Sequence, residues 1–351
     1  MLEFAGFDGS PHAPARFRPM LTLTVPGLLG YGAAFTAARS AHALARYADA
    51  PTQEREGLSI ALCSGLSLPR ATPLAPLWAL GAGLSVDDRY VMAATPVTLV
   101  ADRDIVVLAG RVADLREDEA ATLIALLNRH FASDGIAFEA PRPSAWFVRS
   151  ERDFAVSTSS VDAAMGRSIA ELLPRGGDAM TWQRWQVEIQ MLLHEHAING
   201  EREDRGSAIV SGVWLSGSGR LREITKPRLT NVFAAGGESG DLARGLARHV
   251  GLSADALPST LSAMLDHVSS SANVLVAMDA LTDQAMMAHL DAHWLQPAVD
   301  ALEAAALDTL QLIADGHGAA VTWRARRPSG LARVTSRLRN RALEIPALAE
   351  E

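Results

Sequence analysis

The chain of 351 residues holds one cysteine, Cys63, and one lysine, Lys226. A single thiol excludes an internal disulfide and any multi-cysteine metal site, and fits a cytoplasmic protein. Schiff-base chemistry is limited to Lys226. No stretch of about 18 uncharged apolar residues runs anywhere, so no membrane span is expected. The first twenty residues carry Asp8, Pro11, Pro14, Arg16 and Arg18, with no continuous apolar segment of the signal-peptide kind. A net charge of −8 argues against a general nucleic-acid coat or an anionic membrane as partner. The 48 % hydrophobic and 21 % charged composition excludes wholesale disorder and supports a sizeable core.

Strand-like and helix-like segments alternate. Leu21–Val25 alternates apolar residues with threonine and stops at Pro26-Gly27. A helix is predicted over Ala33–Tyr47, and Leu58–Leu66 is a short apolar segment before Pro69 and Pro73. From about Val86 the texture turns β-rich: Tyr90–Val100 and Ile105–Leu108 read as a hairpin. Asp118–Phe131 reads as a helix with Glu117, Asp118 and Glu119 at its positive end. Thr181–His196 is the strongest helix, with Trp182, Trp185, Ile189, Leu192 and Leu193 on a buried face, and a polar loop follows it. Later come strands at Ala208–Leu215, Asn231–Ala235 and Ala272–Ala277, and a helix over Asp241–His249. A long helix from Thr282 to Ala305, kinked at Pro297, precedes a strand pair at Leu310–Ile313 and Ala319–Arg324. The predicted fold is α/β: a mainly parallel sheet sandwiched by helices, interrupted by a smaller α+β domain. Residues 17–83 and 208–326 form the expected core, 84–207 the insert, and 327–351 an arginine-rich tail.

The densest polar run is His194 to Gly206. His194 and His196, two apart, would point about 200° from each other on a helix, which is wrong for a shared metal. The reading preferred for this run ends the helix near His196, turns the chain at Asn199 and Gly200, and leaves Arg202 and Arg205 to hold a phosphate or carboxylate by forked hydrogen bonds. Pairing of these arginines with neighbouring acids is the plainer alternative. His289 and His293 stand four apart with Asp291 between, a spacing that can bind a metal with Asp279 or Asp315 completing the set, while Trp294 and the surrounding alanines point instead to a helix face with surface histidines.

The pattern His196-x-Ile198-Asn199-x-x-Arg202-x-x-x-Gly206, followed by Val213-Trp214-Leu215-x-Gly217-x-Gly219, resembles a signature of archaeal-type cofactor-independent phosphoglycerate mutases, members of the alkaline phosphatase superfamily. Ala79-Leu80-Gly81-Ala82-Gly83, Ala109-Gly110-Arg111 and Leu242-Ala243-Arg244-Gly245 resemble further segments of that family. The block Val187-Glu188-Ile189-Gln190-Met191-Leu192-Leu193-His194 is similar to one in the proteobacterial RpfE-like regulatory proteins, a divergent branch. The resemblance implies an alkaline-phosphatase-like core and an anion pocket at His196, Asn199, Arg202, Arg205, Gly217 and Gly219.

Against that pattern the chemical residues are missing. Active relatives end their first strand in Asp-Gly-x-x-Asp; here the chain reads Val25-Pro26-Gly27-Leu28-Leu29. Ser40, Ser59, Ser64 and Ser67 are present, but none sits in the nucleophile motif. Gln284 and Met287 fall where the late metal motif would stand, and only Asp315-Gly316-His317 resembles its last pair. Two-metal phosphoryl transfer needs several carboxylates and histidines in fixed places. The expectation is therefore a catalytically degenerate phosphoglycerate-mutase-like protein, regulatory or sensing a phosphorylated or carboxylate small molecule, with no cofactor. Two alternatives stay open. One is an active mutase or phosphatase using Mn or Mg, with His289, His293, Asp315 and His317 as candidate ligands. The other is a protein–protein interaction module.

Overall fold

A computed structural model of the chain describes residues 19–269, 272–316, 319–327 and 343–346. Seven strands form the main sheet: β1 (Met20–Val25), β2 (Thr52–Glu54), β8 (Asn231–Ala234), β9 (Asp255–Ala256), β10 (Asn273–Ala277), β11 (Thr309–Gly316) and β12 (Ala319–Arg326), ordered β2-β12-β11-β1-β10-β8-β9. The five strands from β11 to β9 are parallel, and β12 and β2 add an antiparallel edge.

Strand period explains the layering. Leu21, Leu23 and Val25 of β1 face one side, with Val274 and Val276 of β10; Leu275 and Ala277 face the other. Helices cover both faces, which is why β10 reads as an unbroken apolar run. On the first face lie Gly32–Ala37, Arg39–Ala45 and the helical stretch Gln284–Glu303; on the second lie Leu58–Gly65, Ala75–Gly81 and Gly237–Val250. The expected mixed α/β fold with a mainly parallel central sheet is the observed one.

The insert has its own sheet of β3 (Tyr90–Asp102), β4 (Ile105–Arg111), β5 (Ile136–Arg142), β6 (Ala145–Ser150) and β7 (Gly212–Gly219). The first part of β3 pairs with β6, the last with β4, and β7 runs along Val91–Val97. The helices Glu117–His130 and Ala179–His194 pack on this sheet through Leu123, Leu127, Trp182, Trp185 and Ile189. Trp182 and Trp185 are core residues, tilted against each other and edge-on to Phe154.

Three local expectations are corrected. The segment predicted as one helix over Ala33–Tyr47 breaks at Ala38, whose extended ψ of 150° separates two short helices with no proline or glycine there to announce it. The polar run after His196 is a helix, Ala197–Asp204, rather than a loop. Its Asn199 amide donates to the carbonyls of Leu193 and Val210 and accepts from the Val210 N–H, anchoring sequence that reads as a turn. The strand expected over Ala208–Leu215 is β7, Gly212–Gly219, and it pairs with β3; the next strand, β8, pairs in the main sheet. An apolar run carries no label for which sheet it will join.

The long late helix deviates as its proline predicts. Pro297 has no N–H for the preceding turn, and Asp291–Leu295 widens so that the Gln296 N–H reaches the Asp291 carbonyl five residues back. The arginine-rich tail predicted over 327–351 lies outside the described residues except at 327 and 343–346, where Leu343 is buried against the first-face core.

Candidate functional site

In an open parallel sheet, ligands bind beyond the carboxyl ends of the strands, where backbone turns leave polar groups unpaired with the sheet. Here β1 ends in Pro26-Gly27, β8 in Gly236-Gly237-Glu238-Ser239, β10 in Met278-Asp279 and β11 in Asp315-Gly316. These ends enclose a cavity of about 320 Å³ lined by Gly27, Ser59, Arg111, Asp162, Glu238 and Asp315, among others. An adjoining cavity of about 380 Å³ shares Arg111, Gly237 and Glu238 and reaches Arg142, Asp241, Trp78 and Trp146. Together they make a cleft between core and insert.

Each polar group arrives on its own element. Arg111 is the last residue of β4, so the insert sheet delivers it to the core. Asp162 comes from the short Val161–Ala164 helix capped by Ser160. Its carboxylate presses on Gly57, where a Cβ would stand 2.3 Å from Oδ2; φ is +93° there, so only glycine fits comfortably. Gly57 opens the Leu58–Gly65 helix and sets Ser59 in the cavity wall. Glu238 and Ser239 sit in the first turn of the Gly237–Val250 helix, and Ser239 Oγ lies 3.0 Å from the Thr24 hydroxyl.

The charges are arranged around Arg111. Its guanidinium donates to Asp162 at 2.5 Å and to Glu238 on the other side. Burial opposes its charge, but the two carboxylates more than offset this and hold it protonated. Burial also pushes the Glu238 carboxyl up, with Asp162 and Asp241 adding to the rise and Arg111 opposing it. Asp315 accepts the Gly27 N–H at 2.6 Å; burial pushes its carboxyl up to about 6 despite that bond. Deeper in the cleft Asp241, 3 % exposed, receives the Arg142 fork and Arg244 at 2.7 Å. The Arg111 group therefore carries more carboxylate than guanidinium. An incoming phosphate would have to displace Asp162 or Glu238 from the arginine.

The expected anion pocket is built differently. Arg202 is 0 % exposed, and its three nitrogens go to the Ala208 carbonyl at 2.7 Å, Glu119 at 2.7 Å and Asp114. Arg205 donates to the other oxygen of Glu119. Burial works against ionisation of Glu119, yet the Arg116 N–H, Arg205 and Arg202 together hold its carboxyl below the usual range. His196 caps the Ala197–Asp204 helix by accepting the Ile198 N–H at 3.3 Å, and Asn199 is the clamp described above. Gly217 and Gly219 lie elsewhere, packed against Trp78 and Pro73 with φ of +64° and +155°. The chain's own acids thus occupy the fork expected to take an anion, and the glycines serve close packing.

The metal candidates also separate. The His289 and His293 rings lie 4.5 Å apart on the exposed side of the late helix, and His289 borders an apolar cavity with Met278 and Trp294. Asp315 belongs to the cleft, and His317 lies outside the described residues. Among the described residues no group of three or more His, Cys, Asp or Glu side chains is placed to hold a metal ion. Mn or Mg would need several free oxygen ligands. Asp162 and Glu238 are bound to Arg111, and Asp315 to Gly27. The residues present do not fit the metals of an active mutase.

Arg111, Glu238, Asp162 and Asp241 escaped the sequence reading as site residues. The available signals were an arginine ending a strand and the Gly-Gly-x-x-Gly run at 236–240, which opens a helix after a strand. Nothing in the sequence marks Asp162.

The chain matches no protein-family model and no curated protein. Several solved structures are similar to it. One is a cofactor-independent phosphoglycerate mutase from Thermoplasma acidophilum DSM 1728, 14 % identical, covering 90 % of this chain and 94 % of that one with a TM-score of 0.40. Another is the PH0037 protein from Pyrococcus horikoshii, 13 % identical, covering 89 % of this chain and 88 % of that one with a TM-score of 0.49. These are distant likenesses of overall fold.

Proposed function

We propose that this is a phosphoglycerate-mutase-like protein of the RpfE-like branch that has kept the scaffold and given up metal-dependent phosphoryl transfer, with a regulatory role exercised through binding a phosphorylated or carboxylate small molecule. One observation carries the reading: at the carboxyl edge, Arg111 is closed off by Asp162 and Glu238. The first strand beside it offers the Gly27 N–H instead of a carboxylate. A site organised by an internal ion pair is stable without a ligand and has few free oxygens for a cation.

Ser59 favours a second reading. It is the second residue of a helix that starts in the cleft, beside Glu238 and Asp315. An active, divergent mutase or phosphatase would use it as nucleophile. A coupled phosphoglycerate mutase assay on folded, phosphatase-free protein with Mn²⁺ or Mg²⁺, run beside Ser59→Ala, separates the two. The degenerate reading expects no metal-dependent turnover; turnover that disappears in Ser59→Ala overturns it.

A further inference from the structure

The amino edge of the main sheet, opposite the cleft, holds a cavity of about 600 Å³ bordered by Met20, Asn273 and Thr309, the first residues of β1, β10 and β11. Four cationic side chains line it: Lys226, Arg228, Arg324 and Arg326. Among the described residues no aspartate or glutamate lines it, although the chain as a whole carries a net charge of −8. Asp49 stands 3.8 Å from Arg326 with both side chains more than half exposed, and Asp308 pairs with Arg327 at 3.6 Å.

The wall behind these cations is fixed. Arg324 donates to Gln311 Oε1 at 3.2 Å, and Gln311 is 0 % exposed. Gln311 packs so tightly on Gly65, another lining residue, that a Cβ there would fall 2.0 Å from its amide nitrogen. That nitrogen is buried without a hydrogen-bond partner among the described residues. At the end of the Leu58–Gly65 helix, the Leu68 N–H reaches back to the Cys63 carbonyl at 2.8 Å and the Ser67 N–H to Ser64 at 3.0 Å. This closing turn puts its left-handed residue at Ser67, with φ of +61°, where glycine is usual. A serine there is strained, and it adds a hydroxyl to the basin rim beside those of Thr225 and Thr309.

We propose that this basin binds a compact polyphosphorylated small molecule, two or more phosphates held close together as in a pyrophosphate group. Arginine forks and a lysine point charge suit phosphate oxygens, and the rim hydroxyls donate further hydrogen bonds. Among the described residues no aromatic side chain lines the basin, so recognition falls on the phosphates rather than on a stacked nucleobase. A bounded cavity in an acidic protein favours a small polyanion over a nucleic-acid strand, which needs an extended basic track. The proposal is independent of what happens at the carboxyl edge.

The test is calorimetric titration of the full chain with inorganic pyrophosphate, tripolyphosphate and orthophosphate, beside an RNA oligonucleotide. The expected result is saturable one-to-one binding of pyrophosphate, at least tenfold tighter than orthophosphate and weakening with added salt. Lys226 and Arg228 are exposed, so the double variant Lys226→Gln/Arg228→Gln keeps the fold and should weaken pyrophosphate at least tenfold. Arg324→Gln should weaken it independently, and Glu201→Gln, an exposed position that lines neither the basin nor the cleft, should leave it unchanged. Absence of saturable binding, binding indifferent to the double variant, loss in Glu201→Gln, or binding of RNA alone would each overturn the proposal.

Discussion

The Gly27 N–H donates to Asp315 Oδ1 across 2.6 Å, tying the end of β1 to the end of β11. The bond favours the ionised carboxyl, but burial outweighs it and Asp162 and Glu238 add to the rise, bringing Asp315 from 3.8 to about 6.

The sign of the consequence follows from where the proton sits. Between pH 3.8 and about 6 the folded chain keeps a proton on Asp315 that the unfolded chain has released. Stability from this group is complete below that window and is lost as pH rises through it. Asp315→Asn, neutral at every pH and still able to accept from Gly27, should be more stable than the parent at pH 8, by at most about 3 kcal/mol. The gap should close at pH 4. Urea unfolding of both proteins at four or five pH values checks this, and a gap that does not vary with pH would contradict it.

Two motif glycines have a packing role. The Ala75–Gly81 and Gly237–Val250 helices cross so closely that a Cβ on Gly81 would lie 1.7 Å from the Asp241 carbonyl oxygen, and one on Gly245 would lie 1.9 Å from that of Leu77. Gly81→Ala and Gly245→Ala should each cost about 3 kcal/mol or more, since both backbones must move apart. Gly200 is the contrast: it sits inside the Ala197–Asp204 helix with nothing within 4 Å of an added Cβ. Gly200→Ala should stabilise by about 0.5–1 kcal/mol, as a helix-interior glycine replacement does. Thermal and urea unfolding of the three variants would test the helix crossing and the unexpected helix together.

Those glycines also show what the sequence could and could not disclose. In this chain the glycines of Ala-Leu-Gly-Ala-Gly and Leu-Ala-Arg-Gly serve a close helix crossing, so these segments point to architecture and say nothing of chemistry. Strand and helix identities were readable wherever apolar period was strong, as in β1 and the Ala179–His194 helix, or where a short apolar run was bounded, as in β10. The partner of β7 was not readable, because its apolar residues fit either sheet. The site failed for a related reason. Arg111, Asp162, Glu238 and Asp315 lie on four elements far apart in sequence, and only the fold brings them to one cleft. The dense charges around Arg202 caught the eye because they are local, and local density is also what an internal ion-pair network produces.

That network can be separated from a ligand site by its energetics. Arg202 is wholly buried with Glu119, which is 2 % exposed, so removing the arginine takes from a buried carboxylate its one fully buried cationic partner and leaves it Arg205 and the N–H and guanidinium of Arg116. Arg202→Ala should destabilise the folded chain by about 3–5 kcal/mol, the range for breaking a buried pair from one side. Glu119 is held below the usual carboxylate range in the parent, so its contribution is present above its unfolded value and lost as pH falls through the folded one. The penalty of Arg202→Ala should therefore shrink in acid, where Glu119 is protonated in both proteins. Pairing the change with Glu119→Gln should recover much of the loss at neutral pH, because no buried charge is then left alone. A ligand-binding Arg202 would behave otherwise: the single variant would unfold like the parent, and Glu119→Gln would recover nothing. Unfolding curves for the parent, both single variants and the double variant at pH 7 and pH 4 distinguish the two roles.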